Sequence, residues 1–169
     1  MEWFAENSES GYKARLVMTP SAELNLGIET GRPVESVKEL AAACDNYGDL
    51  AAPISSGSFP TAGMIVAPCS IRTLSDIANC NTHNLLSRAA DVTLKEGRKL
   101  VLCPRETPLH KGHLRLMAQA ADMGAVILPP MPAFYHKPQS VADIVDQTVG
   151  KILDQFAIPH ELFKRWGGP

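Results

Sequence analysis

The sequence predicts an α/β protein in which helices cover both faces of a parallel sheet. Three observations carry that expectation. Short β-rich or apolar runs alternate along the chain with segments of helical period. Gly63–Pro68 (GMIVAP) is a continuous apolar run of the kind a strand buried on both faces shows. The segments directly after the expected strands (Thr19–Ser21, Pro68–Thr73, Pro104–Pro108, Pro129–Pro138) are polar, charged or rich in proline. Strands joined by helical crossovers pair in parallel, and such sheets bind ligands beyond their carboxyl ends. At 169 residues, 45% hydrophobic and 20% charged, the chain is long enough for one domain with a sizeable core, so residues 1–169 are read as a single domain.

Each element has its own signal. Lys13–Met18 (KARLVM) reads as a strand ending at Thr19-Pro20, and Ser21–Ile28 follows as a helix with Ala22, Leu24, Leu26 and Ile28 apolar, stopped by Gly31. Val34–Ala43 repeats the helical pattern. Cys44–Pro60, rich in Gly, Asp, Ser and Pro, reads as a long functional loop centred on Ser55-Ser56-Gly57-Ser58. Beyond the Gly63–Pro68 strand, Ser70 sits at the N-cap position of a helix from about Ile71 to Ile77. Asn84–Glu96 reads as a helix, Lys99–Cys103 as a strand, Leu109–Met123 as a helix and Ala125–Leu128 as a strand. Ser140–Phe156 closes the chain as a long helix, with an apolar stripe through Val141, Ile144, Val145, Val149, Ile152, Leu153 and Phe156.

Composition excludes several function classes. Sixteen Lys plus Arg against eighteen Asp plus Glu, with no basic run, give no footprint for nucleic acid. Apolar runs such as Gly124–Pro130 fall well short of the ~20 residues of a membrane span, and Met1–Asn7 lacks a basic signal start. A cytoplasmic protein without membrane partners is expected. Cys44, Cys69, Cys80 and Cys103 are far apart with no CxxC pair, and read as free thiols.

Candidate chemistry gathers after the strands. Pro68–Thr73 brings two hydroxyls and an arginine to a helix N-terminus, where free N–H groups and the helix dipole suit a phosphate; a plain serine cap has the same pattern. Arg105-Glu106, between Pro104 and Thr107-Pro108, suits an anion and a proton transfer, or a structural ion pair. By pattern alone, Lys95-Glu96 is a solvated helix end. Pro132–Pro138 sets Phe134, Tyr135, His136 and Lys137 in a proline-bounded loop. His110 and His113 have metal-compatible spacing but no third ligand to match, so no metal site is expected. The Ser55–Ser58 loop lacks the hydrolase elbow, and neither a G-x-G-x-x-G nor a Walker loop is present.

Taken together, these segments resemble the flavin prenyltransferase family, the UbiX-like proteins once classed as aromatic acid decarboxylases. The resemblance runs from about Ala14 to Gly168. It includes Ile54-Ser55-Ser56-Gly57-Ser58-Phe59, Met64–Leu74, Asn84–Val92, Leu94-Lys95-Glu96, Arg105–His110, Pro129–Tyr135 and Lys164-Arg165-Trp166. The resemblance implies a Rossmann-like, flavodoxin-like three-layer fold that binds FMN and dimethylallyl phosphate without a metal. It implies transfer of the prenyl group to reduced FMN and delivery of prenylated FMN to a UbiD-type decarboxylase, in ubiquinone biosynthesis or aromatic acid decarboxylation. It also implies a homo-oligomer, a dodecamer in the family, with sites built at subunit interfaces.

Carried over residue by residue, Ser70, Ile71, Arg72, Thr73 and Arg105 would hold the flavin, with Thr19 standing where the family usually has serine. Glu29, Lys95, Arg105, Glu106, Tyr135 and Lys151 would surround the dimethylallyl phosphate, Glu29, Lys95 and Glu106 in catalytic roles. Lys151 replaces what is often arginine, which keeps the charge but loses bidentate geometry. Family members begin with a strand and a Gly-Ala-Ser-Gly-type loop, whereas this chain starts within the helix expected at Met1–Asn7. Residues 1–169 are therefore read as N-terminally truncated relative to the family. The competing readings are a non-catalytic FMN-binding accessory subunit of a hydroxyarylic acid decarboxylase and an inactive fragment. Retention of the second phosphate set, which a mere flavin holder has no need of, favours the enzyme.

Overall fold

A computed structural model describes residues 1–167. After a short helix α1 (Glu2–Glu6), strand β1 (Arg15–Val17) leads into α2 (Pro20–Thr30), then α3 (Val34–Lys38) and β2 (Ala43–Asp45). Thr19 caps α2, its hydroxyl accepting from the Ala22 N–H at 3.0 Å, and Pro20 follows at the first helical position, where its missing N–H is harmless. Gly31 ends the helix in the left-handed conformation.

The second part alternates strictly: β3 (Gly63–Cys69), α4 (Ile71–Ala78), α5 (Leu85–Lys95), β4 (Lys99–Pro104), α6 (Lys111–Asp122), β5 (Val126–Ile127) and α7 (Val141–Gln155). Ser70, Asn84 and Ser140 cap α4, α5 and α7 through their side chains, and Ser140 with Asp143 forms a reciprocal capping box. All strand pairs are parallel: β1 with β2, and β3–β4–β5 in that order.

Alternate residues of β4 look into opposite layers. Leu100 and Leu102 join Val66, Leu74, Ile77, Leu86, Ala90 and Ala120 beneath α4, α5 and α6, whereas Val101 and Cys103 pack with Ile152 of α7. A three-layer α/β architecture results, with the described strands in two parallel sheets, β1–β2 and β3–β4–β5. No helix of the described residues is long and apolar enough to cross a membrane.

Two expectations need correction. The helix expected over Val34–Ala43 stops at Lys38, and Ala43–Asp45 is a strand instead. Residues 41–43 are all alanine, good helix formers, yet the Ala42 N–H donates to the Ala14 carbonyl and Ala43 pairs with Arg15; tertiary pairing overrides local propensity. The Gly63–Pro68 run does form a strand but is not buried on both faces. Only Val66 and Cys69 of β3 are buried, because one edge of β3 carries no partner strand among the described residues, and the doubly buried strand is β4.

Candidate active site

The first cluster lies at the carboxyl ends of the strands. Ser70, at the end of β3, accepts from the Thr73 N–H at 3.1 Å and donates to the Thr73 hydroxyl at 3.1 Å. The hydroxyls and the arginine of Ser70–Thr73 therefore stand at a helix N-terminus, with Ser70 and Arg72 exposed. The Arg105 N–H donates to the Cys69 carbonyl at 3.3 Å, which brings the end of β4 beside the end of β3. From there the Arg105 guanidinium reaches Glu29, on the last turn of α2, in a bidentate pair at 2.6 and 2.8 Å. Arg105 holds the Glu29 carboxyl below the usual carboxylate range, so the pair stays charged at neutral pH. Glu106, exposed, accepts from the neighbouring Thr107 N–H at 3.1 Å, its one hydrogen bond among the described residues.

The donors and cations of this cluster suit an anion such as a phosphate. The α4 N-terminus offers free N–H groups, two hydroxyls and Arg72, with the Arg105 guanidinium on the adjoining strand end. Below them, burial pushes the Cys69 thiol up to about 12 and the Cys103 thiol up to about 11, so neither is a nucleophile at neutral pH.

Lys95 lies elsewhere. It ends α5, and only three residues separate it from Lys99, the first residue of β4, while Arg105 follows the last. The six-residue strand between them is roughly 17 Å long. One chain therefore puts Lys95 and Arg105 at opposite ends of β4. Lys95 pairs with Glu96, which lies below the usual carboxylate range as a result, and both abut the Ser55–Ser58 loop; a Cβ at Gly57 would sit 2.7 Å from the ammonium. Arg88, two turns earlier on α5, donates to the Ser55 carbonyl at 3.1 Å, and Arg98 donates to the carbonyls of Gly57 and Phe59 at 2.7 and 2.8 Å. Neither arginine stands out in the sequence as a site residue; the seven-residue spacing that puts Arg88 and Lys95 on one helix face is the sequence signal for Arg88.

Tyr135 and Lys151 form a third group, on the opposite face of β4 from α5. The Tyr135 hydroxyl accepts from Gln147 Nε2 at 3.3 Å, and Lys151 lies one turn beyond Gln147 on α7. Trp166 meets the Tyr135 ring edge-on, with centroids 6.2 Å apart. His110 is occupied as the cap of α6, its Nδ1 accepting from the Gly112 N–H at 3.0 Å, and its ring stacks on His113.

A three-layer parallel α/β fold with an anion site at its strand ends defines a nucleotide- or flavin-binding protein. Comparison narrows the class: the family model described as Flavoprotein matches residues 8–153. The chain is 58% identical over 158 residues to flavin prenyltransferase UbiX of Salmonella typhimurium, covering 92% of this chain and 84% of the relative. It is 56% identical to flavin prenyltransferase UbiX of Thauera aromatica, covering 94% and 81%. The crystal structure of AnUbiX (PadA1) in complex with FMN and dimethylallyl pyrophosphate superposes with a TM-score of 0.94 at 47% identity, over 98% of this chain and 87% of that one. The dodecameric FMN-dependent UbiX-like decarboxylase of Escherichia coli O157:H7 gives 0.93 at 47% identity, over 97% and 89%. The chain belongs to the flavoprotein family, and within it to the UbiX-type flavin prenyltransferases.

Proposed function

We propose that this chain is a metal-independent flavin prenyltransferase, a single flavoprotein domain over residues 1–169 acting in the cytoplasm, that joins the dimethylallyl group of dimethylallyl phosphate to reduced FMN. The observation that carries the reading is the presence of cationic and hydroxyl groups beyond those a flavin requires. Ser70–Thr73 and Arg105, with Thr19 at the end of β1, are the residues assigned to FMN. Lys95, Tyr135 and Lys151 remain as a second set, suited to a second phosphate.

Reduced FMN, when bound, supplies the nucleophilic ring atoms that accept the prenyl group. The protein's own task is to loosen an allylic phosphate: the C–O bond breaks with its electron pair leaving on phosphate, so Lys95, Arg105, Lys151 and the Tyr135 hydroxyl must stabilise growing negative charge. Glu106, which pairs with no cation among the described residues, is assigned the proton transfer, and the released phosphate is itself a base in the same site. Glu29 orients Arg105 through its bidentate pair.

Because Lys95 and Arg105 sit at opposite ends of β4 in one chain, one site uses Arg105 of one copy and Lys95 of another. A homo-oligomer is thereby part of the mechanism, and the dodecameric relative supports this reading. A UbiD-type decarboxylase is the proposed recipient of the prenylated FMN.

The test is anaerobic incubation with reduced FMN and either dimethylallyl phosphate or the diphosphate, followed by mass analysis of the extracted flavin. A gain of one prenyl group is expected with the monophosphate. FMN recovered bound but unmodified with both donors would contradict the reading and favour a flavin-holding accessory subunit.

A further inference from the structure

The segment after α7 turns back onto that helix through one carboxylate. Asp154, in the last turn of α7, accepts from both terminal nitrogens of the Arg165 guanidinium, at 2.8 and 3.2 Å. It also pairs with Nε2 of His160 at 3.1 Å, and the His160 side chain is wholly buried. Lys151, one turn earlier, holds its ammonium 3.7 Å from the same carboxylate. Three cationic or protonatable groups from two segments thus converge on one acid.

The consequence reaches Tyr135. Arg165 is followed by Trp166, whose ring rests edge-on against Tyr135, and the Tyr135 hydroxyl is held by Gln147. Gln147, Lys151 and Asp154 are spaced i, i+4, i+7 and share one face of α7. A closed circuit results, running from Asp154 through Arg165, Trp166, Tyr135 and Gln147 back to the helix. Tyr135 is 48% exposed and lies in a loop, where its hydroxyl is held by Gln147 and its ring meets Trp166 and the neighbouring His136 edge-on.

Gly150 gives an independent sign that this packing is built. A Cβ there would lie 2.5 Å from ring atoms of both His160 and Phe163, so the returning segment sits directly on the helix backbone. Glycine is unfavourable in a helix interior, and at position 150 the close approach of the two rings accounts for it.

We propose that Asp154 is a positioning residue for the prenyl-donor site: it fastens the segment from Phe156 to Trp166 onto α7 so that Trp166 fixes the Tyr135 ring, while it holds the Lys151 ammonium on the same face. This rests on the reading of Tyr135 and Lys151 as ligands of the donor phosphate. Without the carboxylate, His160 is left buried without its partner and Arg165, already largely exposed, turns to water.

Two readouts test the proposal on the full chain: hydrogen exchange of a peptide spanning residues 156–166, and steady-state kinetics with each substrate varied. In Asp154→Ala, exchange of that peptide accelerates, and KM for dimethylallyl phosphate rises about tenfold, the loss of one charge-assisted contact, while KM for FMN and kcat stay within about twofold. Asp154→Glu restores most of the donor KM, and Arg165→Gln shifts both readouts in the same direction as Asp154→Ala. Unchanged exchange in Asp154→Ala overturns the proposal, as does accelerated exchange with an unchanged donor KM. A parent protein that neither binds nor turns over the donor overturns the functional reading instead; in that case the parent fails, and not only the Asp154 series.

Discussion

Residues 1–51 and residues 63–158 divide the work of this chain unequally. Among the described residues, every buried apolar side chain except Ala52 comes from residues 66–158, where β4 is covered on both faces. Helices α2 and α3 bury nothing completely, and Leu24 and Ile28 of α2 are 65% and 72% exposed. The first part is tied to the second by point contacts: Glu29 on Arg105, and Val17 and Tyr47 packed against the core. Strength therefore sits in the part that also carries most of the proposed ligand residues, while Thr19 and Glu29 sit on the other, where local opening is cheapest.

Core truncation is the strongest way to break this comparison. Leu102→Ala, at a fully buried position of β4, is expected to lower unfolding free energy by about 3 kcal/mol in urea titrations. Next in size is the link between the parts. Arg105→Ala is expected to lower turnover about a hundredfold, as loss of a preorganised charge at the developing phosphate does. Glu29→Gln is expected to lower it about tenfold, because the guanidinium remains but loses one charged partner. If the two substitutions together cost no more than Arg105→Ala alone, Glu29 acts through Arg105.

Thiol reactivity sharpens the same contrast. Cys44 and Cys80 are exposed, whereas burial raises Cys69 and Cys103 to about 12 and 11. A thiol reagent at pH 8 should therefore modify two thiols promptly and the other two only on unfolding. The smallest effect is that of pH on the Glu29–Arg105 link. A carboxylate lowered in the folded state contributes above its unfolded pKa and is lost as pH falls through the lowered value. No loss of the link is expected between pH 8 and 5, and its release below the ordinary value of 4.5 is checked by following the Glu29 carboxyl in an NMR titration.

Most of the second part is legible in the sequence because its signals are local: the cap at Ser70, the helical starts at Asn84 and Ser140, the apolar β4 run, and the stripe on α7. Strand β2 was hidden because Ala41–Ala43 favours helix and only pairing with β1 makes it extended. The members of the site were readable through motif resemblance, but not their grouping. That Lys95 and Arg105 lie at opposite ends of β4 follows from chain order once the strand between them is recognised, whereas the contacts of Tyr135 with Gln147 and of Glu29 with Arg105 are tertiary and no short motif contains them. Asp154 and Gln147 escaped notice because each looks like an ordinary polar residue on a helix, and their partners are contributed by a returning segment and a loop.

The most direct test of the split site is complementation between two inactive chains. Lys95→Ala and Arg105→Ala proteins, each impaired alone, are unfolded together, refolded as a mixture and assayed for prenylated FMN. If one site draws Lys95 and Arg105 from different copies, random mixing restores roughly a quarter of the native sites, and activity returns well above either parent. A mixture no more active than its two components would contradict the account, since it would mean that each chain must supply both residues to its own site.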